Sequence, residues 1–350
     1  MTAPPITEYA LLVQPAANRV YAAASVELTC AELDVLNQAV LDGAISGMRT
    51  AVIAGVPYVV FEASELDTRA TAYLANLSSV FAVFARRGQL LEPVELRPLD
   101  RFDDDLLTIQ KYQGKTNEHF TKLLLNVTVL SSRAAPDMVG RRLRVLDPLA
   151  GRGTTLNQVL MYGWDAAGLD LDEKDFDAYA AFLGTWLKRK RIKHHIEVTR
   201  IRRQKQSLGR QLKASVGVDR DRYKAGDALD LTFVNGDTLR AAEFFSAGSF
   251  DALVADLPYG VRHGSRPGGP RELHRGPLAL VAAAAPGWAK LLKPGGAIGL
   301  SWNTVVAPRE QMLAGLAGAG LEPLDSEVYR AFAHRVDQSI TRDIVVARKP

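Results

Sequence analysis

Residues 143–162 join a short apolar run to a helical pattern through a glycine-rich turn. The run Leu143-Arg144-Val145-Leu146 predicts a buried strand, and residues 155–162 predict a helix after the turn. Strands and helices alternate from here onward, which predicts a parallel, doubly wound α/β sheet. Because ligands of such sheets bind at the carboxyl ends of the strands, residues that follow each strand are the candidate site.

The same alternation continues to the C-terminal end. Predicted strands cover residues 166–169, 231–235, 250–255 and 297–301, and predicted helices cover 176–187 and 278–292. Two last strands, at 327–332 and 343–347, are expected to form an antiparallel hairpin. We predict one doubly wound domain over residues 141–350.

The first 100 residues have a different pattern. Strands are predicted at 9–13, 50–53, 58–61, 80–84 and 94–97, and helices at 28–41 and 68–78. Thr29 and Glu32 have capping-box spacing, so the first helix is expected to begin near Thr29. The order predicts a small ferredoxin-like α+β domain over residues 1–100. A connector with a helix at 118–131 fills residues 101–140.

Positive charge is concentrated in one segment. Residues 188–224 contain 14 Lys and Arg against three Asp and Glu, a net charge of +11, while the whole chain carries +4 and the remainder therefore −7. We call residues 188–226 the basic insertion. It predicts either phosphate contacts with a polyanion or a solvated, partly disordered insertion. The candidate phosphate contacts within it are Lys188, Arg189, Lys190 and Arg191.

Composition excludes several classes of protein. Cys30 is the only cysteine, so an intrachain disulfide and a cysteine-based zinc site are excluded. No apolar run reaches the roughly 18 residues of a membrane span, and the N-terminal residues do not resemble a secretory signal. His194-His195 has no second ligand cluster nearby. We expect a cytoplasmic protein that binds no metal and no membrane. A monomer is the favoured oligomeric state.

The turn itself limits the choice of cofactor. Gly151 and Gly153 lack Cβ atoms, so the backbone can approach a ligand, and a side chain at Gly153 is expected to occupy that space. Leu156 replaces the third glycine of the dinucleotide fingerprint, and no Gly-Lys-Ser/Thr of a P-loop follows. Asp147 would repel a pyrophosphate but attract an ammonium or sulfonium. This favours S-adenosylmethionine (SAM) over NAD or ATP.

Acids also follow the next two strands. Asp170 is expected to accept hydrogen bonds from the ribose hydroxyls, and Asp237 to meet the adenine amino group. The alternatives are a helix N-terminal acid for Asp170 and a simple Asn-Gly-Asp turn for Asp237. The candidate cofactor-binding residues are Thr116, Asp147, Leu149, Gly151, Gly153, Thr154, Asp170, Leu171, Asp237, Thr238 and Asp256.

The fourth strand ends in Asp256-Leu257-Pro258-Tyr259-Gly260, the candidate catalytic motif. Pro258 holds Leu257 extended, so the Leu257 carbonyl and the Asp256 carboxylate can accept hydrogen bonds from one exocyclic amine. Tyr259 is expected to stack on the base. The alternative is a proline-terminated loop with a core tyrosine. Two basic residues of the following loop, Arg262 and Arg266, are candidate phosphate contacts unless that loop is a disordered surface loop.

Together these motifs carry a family resemblance. DPLAGRGTT, GLDLD, NGD, DLPYG and LKPGG, in this order, resemble a class I SAM-dependent methyltransferase. DLPYG is similar to the (D/N/S)-P-P-Y motif of amino-methyltransferases, with Leu257 in place of the usual proline. With KYQGKTNE at 111–118, residues 105–350 resemble the archaeal-type tRNA guanosine-N(2)-methyltransferases.

The resemblance implies an enzyme that transfers a methyl group from SAM to guanine N(2) in tRNA. It also implies that KYQGKTNE closes the methionine end of the SAM site, with Thr116 as a contact; Thr116 or Asn117 as a helix N-cap is the alternative. About 100 residues precede the connector, too few for the family's full RNA-binding THUMP domain, so the basic insertion is expected to supply phosphate contacts instead.

Two other functions stay open. DLPYG does not distinguish the bases, so a DNA adenine or cytosine amino-methyltransferase is the first alternative. A nucleic-acid-binding protein with a vestigial pocket is the second, and the joint presence of Asp147, Asp170, Asp237 and Asp256 argues against it.

Overall fold

The computed structural model describes residues 6–15, 19–203, 206–258 and 276–350. Its N-terminal sheet is antiparallel, with strand order β2-β3-β1-β4-β5. The elements are β1 (Thr7–Val13), α1 (Arg19–Ala39), β2 (Ser46–Ile53), β3 (Val56–Ala63), α2 (Thr68–Leu74), β4 (Val80–Arg87) and β5 (Leu90–Val94). The first four strands have the predicted ferredoxin-like arrangement, and β5 extends it at one edge.

The prediction that the first helix begins near Thr29 is wrong. Helix α1 begins at Arg19, ten residues earlier, so Thr29 and Glu32 lie in its middle. The Thr29 hydroxyl donates to the Ser25 carbonyl oxygen at 2.6 Å, one turn back. The Glu32 carboxylate makes its contact outside the helix, where it accepts a hydrogen bond from the backbone N–H of Ser78. Glu32 thus has the spacing of a capping box but makes a tertiary contact, which a local sequence pattern does not reveal.

A second, larger sheet follows the connector. Its strand order is β13-β15-β12-β11-β6-β7-β10-β9-β8, and β14 pairs with β15. Its strands are β6 (Arg144–Asp147), β7 (Asp165–Asp170), β8 (His194–Arg203), β9 (Gln206–Val216), β10 (Leu229–Asn235), β11 (Phe250–Asp256), β12 (Leu292–Asn303), β13 (Glu322–Leu324), β14 (His334–Arg335) and β15 (Thr341–Arg348). The helices are α3 (Asp105–Thr108), α4 (Glu118–Leu130), α5 (Thr154–Met161), α6 (Glu173–Arg189), α7 (Arg220–Lys224), α8 (Ala241–Phe244), α9 (Pro277–Leu291) and α10 (Arg309–Gly318).

The five central strands, β10, β7, β6, β11 and β12, are parallel, which confirms the predicted doubly wound α/β sheet. The C-terminal antiparallel part is also confirmed, but the strand predicted at 327–332 is wrong. Glu327–Arg330 form a short 3-10 helix, and the antiparallel partners of β15 are β12, β13 and β14. Within the basic insertion, β8 and β9 pair antiparallel and continue the sheet beyond β10.

Two buried clusters lie on opposite faces of this sheet. Adjacent residues of β6 point to opposite faces, so Val145 joins one cluster and Leu146 the other. The first core cluster includes apolar residues of α4, α5, α6 and the N-terminal unit. The second core cluster includes those of α9 and α10. No helix within the described ranges is long and apolar enough to cross a membrane.

A buried polar network joins the N-terminal unit to helix α4. Glu32 is fully buried and accepts hydrogen bonds from the Ser78 N–H and hydroxyl and from the Asn126 amide. The Tyr162 hydroxyl donates to the other end of Asn126 at 2.8 Å. Burial raises the pKa of Glu32 to about 7. The network fixes α4 against the N-terminal domain of residues 1–100. Helix α4 in turn carries residues that border the candidate site.

Candidate active site

Four strands of the parallel sheet end in polar residues at one edge. Asp147 ends β6, Asp170 ends β7, Asn235 ends β10 and Asp256 ends β11. Because the strands are parallel, these carboxyl ends share an edge. A cavity of about 470 Å³ opens there. Its walls include Tyr112, Gln113, Gly114, Thr116, Phe120, Thr121, Leu124, Asp147, Leu149, Ala150, Gly151, Arg152, Thr154, Thr155, Asp175, Asp256, Leu257 and Pro258.

Asp147 is the most buried acid of the cavity wall, with 3% of its surface exposed. Its carboxylate accepts the backbone N–H of Leu149 at 3.0 Å, which closes the turn after β6. Burial raises the pKa of Asp147 to about 7, and the nearby carboxylates of Asp170 and Asp256 add to the effect. A buried acid of this kind is stabilised in its ionised form by a cation.

The other predicted acids lie beside the cavity rather than on its wall. Asp170 accepts the N–H of Gly151 at 2.8 Å and that of Asp172 at 2.9 Å, so it braces the glycine turn. Burial raises its pKa. Asp237 accepts the N–H of Leu239 at 2.8 Å and caps a 3-10 turn.

Two further candidate cofactor residues, Leu171 and Thr238, also lie off the cavity wall. The Thr238 hydroxyl accepts the indole N–H of Trp288 at 3.0 Å. Leu171 is 52% exposed, and its carbonyl oxygen accepts from the Asn235 side chain. The contacts of both residues in the structure are therefore with the protein, and cofactor contacts for them stay a prediction.

Glycine occupies the two turn positions, 151 and 153, for different structural reasons. Both have left-handed backbones, with φ of +50° at Gly151 and +79° at Gly153. A Cβ atom on Gly151, which lines the cavity, would meet nothing within 4 Å. A Cβ atom on Gly153 would lie 2.3 Å from the ring of Tyr179, a fully buried residue. The expectation that a side chain at Gly153 fills ligand space is therefore corrected: it would first collide with the core.

Asp256 lies at the centre of a set of contacts from three distant parts of the chain. Its carboxylate accepts the Thr116 hydroxyl at 2.6 Å and the Ser301 hydroxyl at 2.7 Å. A guanidinium nitrogen of Arg342 lies 3.8 Å away, and that guanidinium also stacks on the ring of Phe120. These contacts fix the carboxylate at the cavity wall and compensate its charge.

The neighbours of Asp256 in the motif are also positioned by the sheet. The Leu257 N–H donates to the Ser301 carbonyl oxygen at 2.8 Å, which continues the β11–β12 pairing by one residue. Leu257 is buried and Pro258 is exposed, and both border the cavity. Asn117, not Thr116, is the N-cap of α4. This leaves the Thr116 hydroxyl directed to Asp256.

Tyr112 and Arg152, which the motifs did not predict as site residues, form an aromatic and charged part of the cavity wall. The Tyr112 hydroxyl shares a hydrogen bond of 3.1 Å with the Thr154 hydroxyl, and the Arg152 guanidinium stacks on the Tyr112 ring. Arg152 also pairs with Asp175 at 2.8 Å. Tyr112 lies inside the quoted KYQGKTNE segment, whereas Ser301 and Arg342 have no local signal, because only the sheet brings them to Asp256.

The remaining candidates are either outside the described residues or at the opposite edge of the sheet. Tyr259, Arg262 and Arg266 are outside the described residues. Lys188 and Arg189 end α6, which starts at the carboxyl edge and runs about 25 Å to the opposite edge. Lys190 caps the helix there and pairs with Asp103 and Asp105, both at 2.7 Å, and Arg191 follows it. In the described ranges, no group of three His, Cys, Asp or Glu has the geometry to hold a metal.

Comparison with known proteins gives distant structural similarities only. No family model and no curated protein matches the chain. TrmN from Thermus thermophilus is similar at a TM-score of 0.40 and 16% identity, over 87% of this chain, which spans 59% of that protein's length. A 1,6-didemethyltoxoflavin-N1-methyltransferase from Burkholderia thailandensis gives a TM-score of 0.36 and 17% identity, over 60% of this chain and 72% of the other.

A TehB-like SAM-dependent methyltransferase from Corynebacterium glutamicum gives a TM-score of 0.33 and 15% identity, over 63% of this chain and 87% of the other. Similarities of this size decide neither cofactor nor substrate.

Proposed function

We propose that this chain is a SAM-dependent methyltransferase acting on an exocyclic amino group of a nucleobase in RNA, with guanine N(2) of tRNA as the favoured target. The observation that carries the proposal is the cavity at the carboxyl edge, with buried Asp147 and hydroxyl-fixed Asp256 on its wall. The first suits a cationic cofactor, and the second suits an amine.

The donors and charges of the cavity fit SAM. Asp175 and Asp256 have Arg152 and Arg342 beside them, so Asp147 is the acid that favours the ammonium and sulfonium of SAM over an anionic pyrophosphate. Gly151 leaves open space at the wall, and the Tyr112 side chain also borders the cavity. Asp147, Leu149, Gly151 and Thr154 are the residues we assign to holding it.

When bound, SAM supplies an electrophilic methyl group. Asp256 then accepts one N–H of the target amine, and the Leu257 carbonyl accepts the other. Hydrogen bonds from both N–H groups favour a pyramidal nitrogen whose lone pair is directed at the methyl group. The Asp256 carboxylate stabilises the nitrogen as it becomes cationic on methylation; the methylated amine would then lose one N–H proton, and the sulfur that gave up the methyl group would leave as a neutral thioether. Thr116 and Ser301 hold that carboxylate in place, so its orientation is established before the substrate arrives.

The choice of guanine in tRNA rests on the joint resemblance of KYQGKTNE, DPLAGRGTT and DLPYG to the guanosine-N(2)-methyltransferases. A DNA amino-methyltransferase shares DLPYG, so substrate tests must include duplex DNA. A thermal-shift screen tests the cofactor directly. We expect SAM to raise the melting temperature by several degrees and NAD to leave it unchanged; the reverse would contradict the assignment.

SAM affinity is expected to depend on pH through Asp147. Burial raises the pKa of Asp147 to about 7 in the ligand-free protein, so the carboxyl takes up a proton below that pH. A cationic ligand binds the carboxylate form, and the dissociation constant should rise up to about tenfold per pH unit as the pH falls below about 7. Calorimetric titrations between about pH 5.5 and 7 measure this slope.

Asp147→Asn is the matched control, since it keeps the shape and removes the titration. It should bind SAM more weakly and with a flat pH profile. An equal slope in the wild type and Asp147→Asn would show that another group controls the pH dependence.

A further inference from the structure

The basic insertion forms an arm that extends past the carboxyl edge of the sheet. Strand β9 pairs with β10 up to Arg210, which faces Asn235, the last residue of β10. Strand β9 begins at Gln206 and its partner β8 continues to Arg203, so both run beyond that point. Four residues of strand span about 13 Å. We call residues 199–203 and 206–210 the arm; it overhangs the edge at which the cavity opens.

The arm is anchored where it leaves the sheet. A Cβ atom on Gly209 would lie 2.2 Å from the Asn235 carbonyl oxygen, so only glycine permits this approach of β9 to β10. The pairing shifts register between Ile201 and Arg202, which is a bulge that bends the hairpin. Ile201 packs against the second core cluster, as do Leu239 and Phe244 after β10. The arm is therefore held against the body of the protein.

Two arginines of the arm have no structural role that the fold explains. Arg200 and Arg202 alternate with Ile201, so they share the opposite face of β8, and both are exposed. Neither has a hydrogen bond or ion pair with another residue of the described ranges.

Their basic neighbours in the insertion are paired. Arg210 pairs with Glu173 at 3.1 Å and Asp177 at 3.0 Å, and Lys190 pairs with Asp103 and Asp105. Arg200 also lies directly opposite Arg210, and like charges in this position destabilise a strand pair.

We propose that Arg200 and Arg202 bind backbone phosphates of the RNA substrate, and that the arm is a docking element of the enzyme. The proposal rests on the proposed function and adds the surface that holds the RNA. Strand β8, which carries both arginines, is five strand spacings from β11, so this face of the arm lies about 24 Å from Asp256 along the edge. It thus contacts nucleotides that flank the target rather than the target base. Arginine suits this task because its planar fork matches phosphate oxygens.

The test compares two charge reversals in the full-length protein. R200E/R202E changes the arm, and R220E/K224E makes the same change in charge on exposed residues of α7, which follows β9 at the opposite edge of the sheet. The dissociation constant for unmodified tRNA is measured by fluorescence anisotropy between about 50 and 200 mM salt. That for SAM is measured by calorimetry.

We expect R200E/R202E to weaken tRNA binding at least about tenfold and to flatten the salt slope by about 1.4–1.8, at 0.7–0.9 per lost contact. R220E/K224E should remain within about twofold of the wild type, and SAM affinity should be equal in all three proteins. Equal tRNA affinity in the two double variants would contradict the docking role of the arm and leave the proposed activity unaffected. Wild-type protein that binds SAM but no RNA would overturn the substrate class, and tighter binding to duplex DNA would do the same.

Discussion

Asp256→Ala is expected to lower methyl transfer by about 10²–10³-fold while leaving the dissociation constant for SAM nearly unchanged. In the proposed mechanism the carboxylate accepts a hydrogen bond from the target amine and stabilises the charge that forms as the methyl group arrives. It therefore contributes more in the transition state than in the ground state. Single-turnover transfer of labelled methyl groups to unmodified tRNA measures the loss, and calorimetry measures SAM binding.

The contacts of Asp256 sharpen this prediction. Alanine would leave the buried Arg342 without its neighbouring carboxylate, so the variant must first be shown to be folded. Asp256→Asn keeps the shape and the acceptor oxygen, but its neutral carbonyl is a weaker acceptor for a cationic amine, so transfer should still fall sharply. Asp230→Ala is the control, since Asp230 is an exposed acid in β10 away from the cavity. Near-normal turnover in folded Asp256→Ala would make this loop structural.

Gly153→Val is expected to unfold or severely destabilise the protein, and not merely to block the cofactor. The left-handed backbone costs a residue with a side chain about 1–2 kcal/mol, and overpacking against the buried Tyr179 ring adds about 1–3 kcal/mol. Urea unfolding should show a total loss of about 2–5 kcal/mol.

Gly151→Ala separates the backbone effect from the packing effect. Gly151 is also left-handed, but its Cβ position meets no atom within 4 Å and borders the cavity. It should lose only about 1–2 kcal/mol and weaken SAM binding instead. Equal losses of stability in the two variants would contradict the packing argument.

The parallel sheet and its edge of carboxylates were predictable because their signals are local. Apolar runs at 143–146 and 250–255 predict buried strands, and an acid after each strand reaches the carboxyl edge in any doubly wound sheet. The same reasoning failed for Glu32, whose spacing from Thr29 imitates a helix start. Its burial beside Ser78 depends on residues 46 positions away.

The partners of Asp256 were not predictable for the same reason. Thr116, Ser301 and Arg342 come from the connector, β12 and β15, and only the strand order brings them together. Thr116 was predicted as a contact of the cofactor, and the structure shows its hydroxyl hydrogen-bonded to Asp256. The charge of the basic insertion was evident in the sequence. Which of its arginines lie at the carboxyl edge depends on the pairing of β9 with β10.

The most direct test is to incubate the purified protein with SAM that carries a deuterated methyl group and with unmodified tRNA. The tRNA is then digested to nucleosides for mass spectrometry, and duplex DNA is treated in parallel. We predict a labelled methyl group on the exocyclic nitrogen of a base, as N(2)-methylguanosine, in the tRNA sample and none in the DNA sample. A label on ribose, on a ring nitrogen or on carbon, or no labelled nucleoside from tRNA, would contradict the assignment of Asp256 and Leu257 to an exocyclic amine.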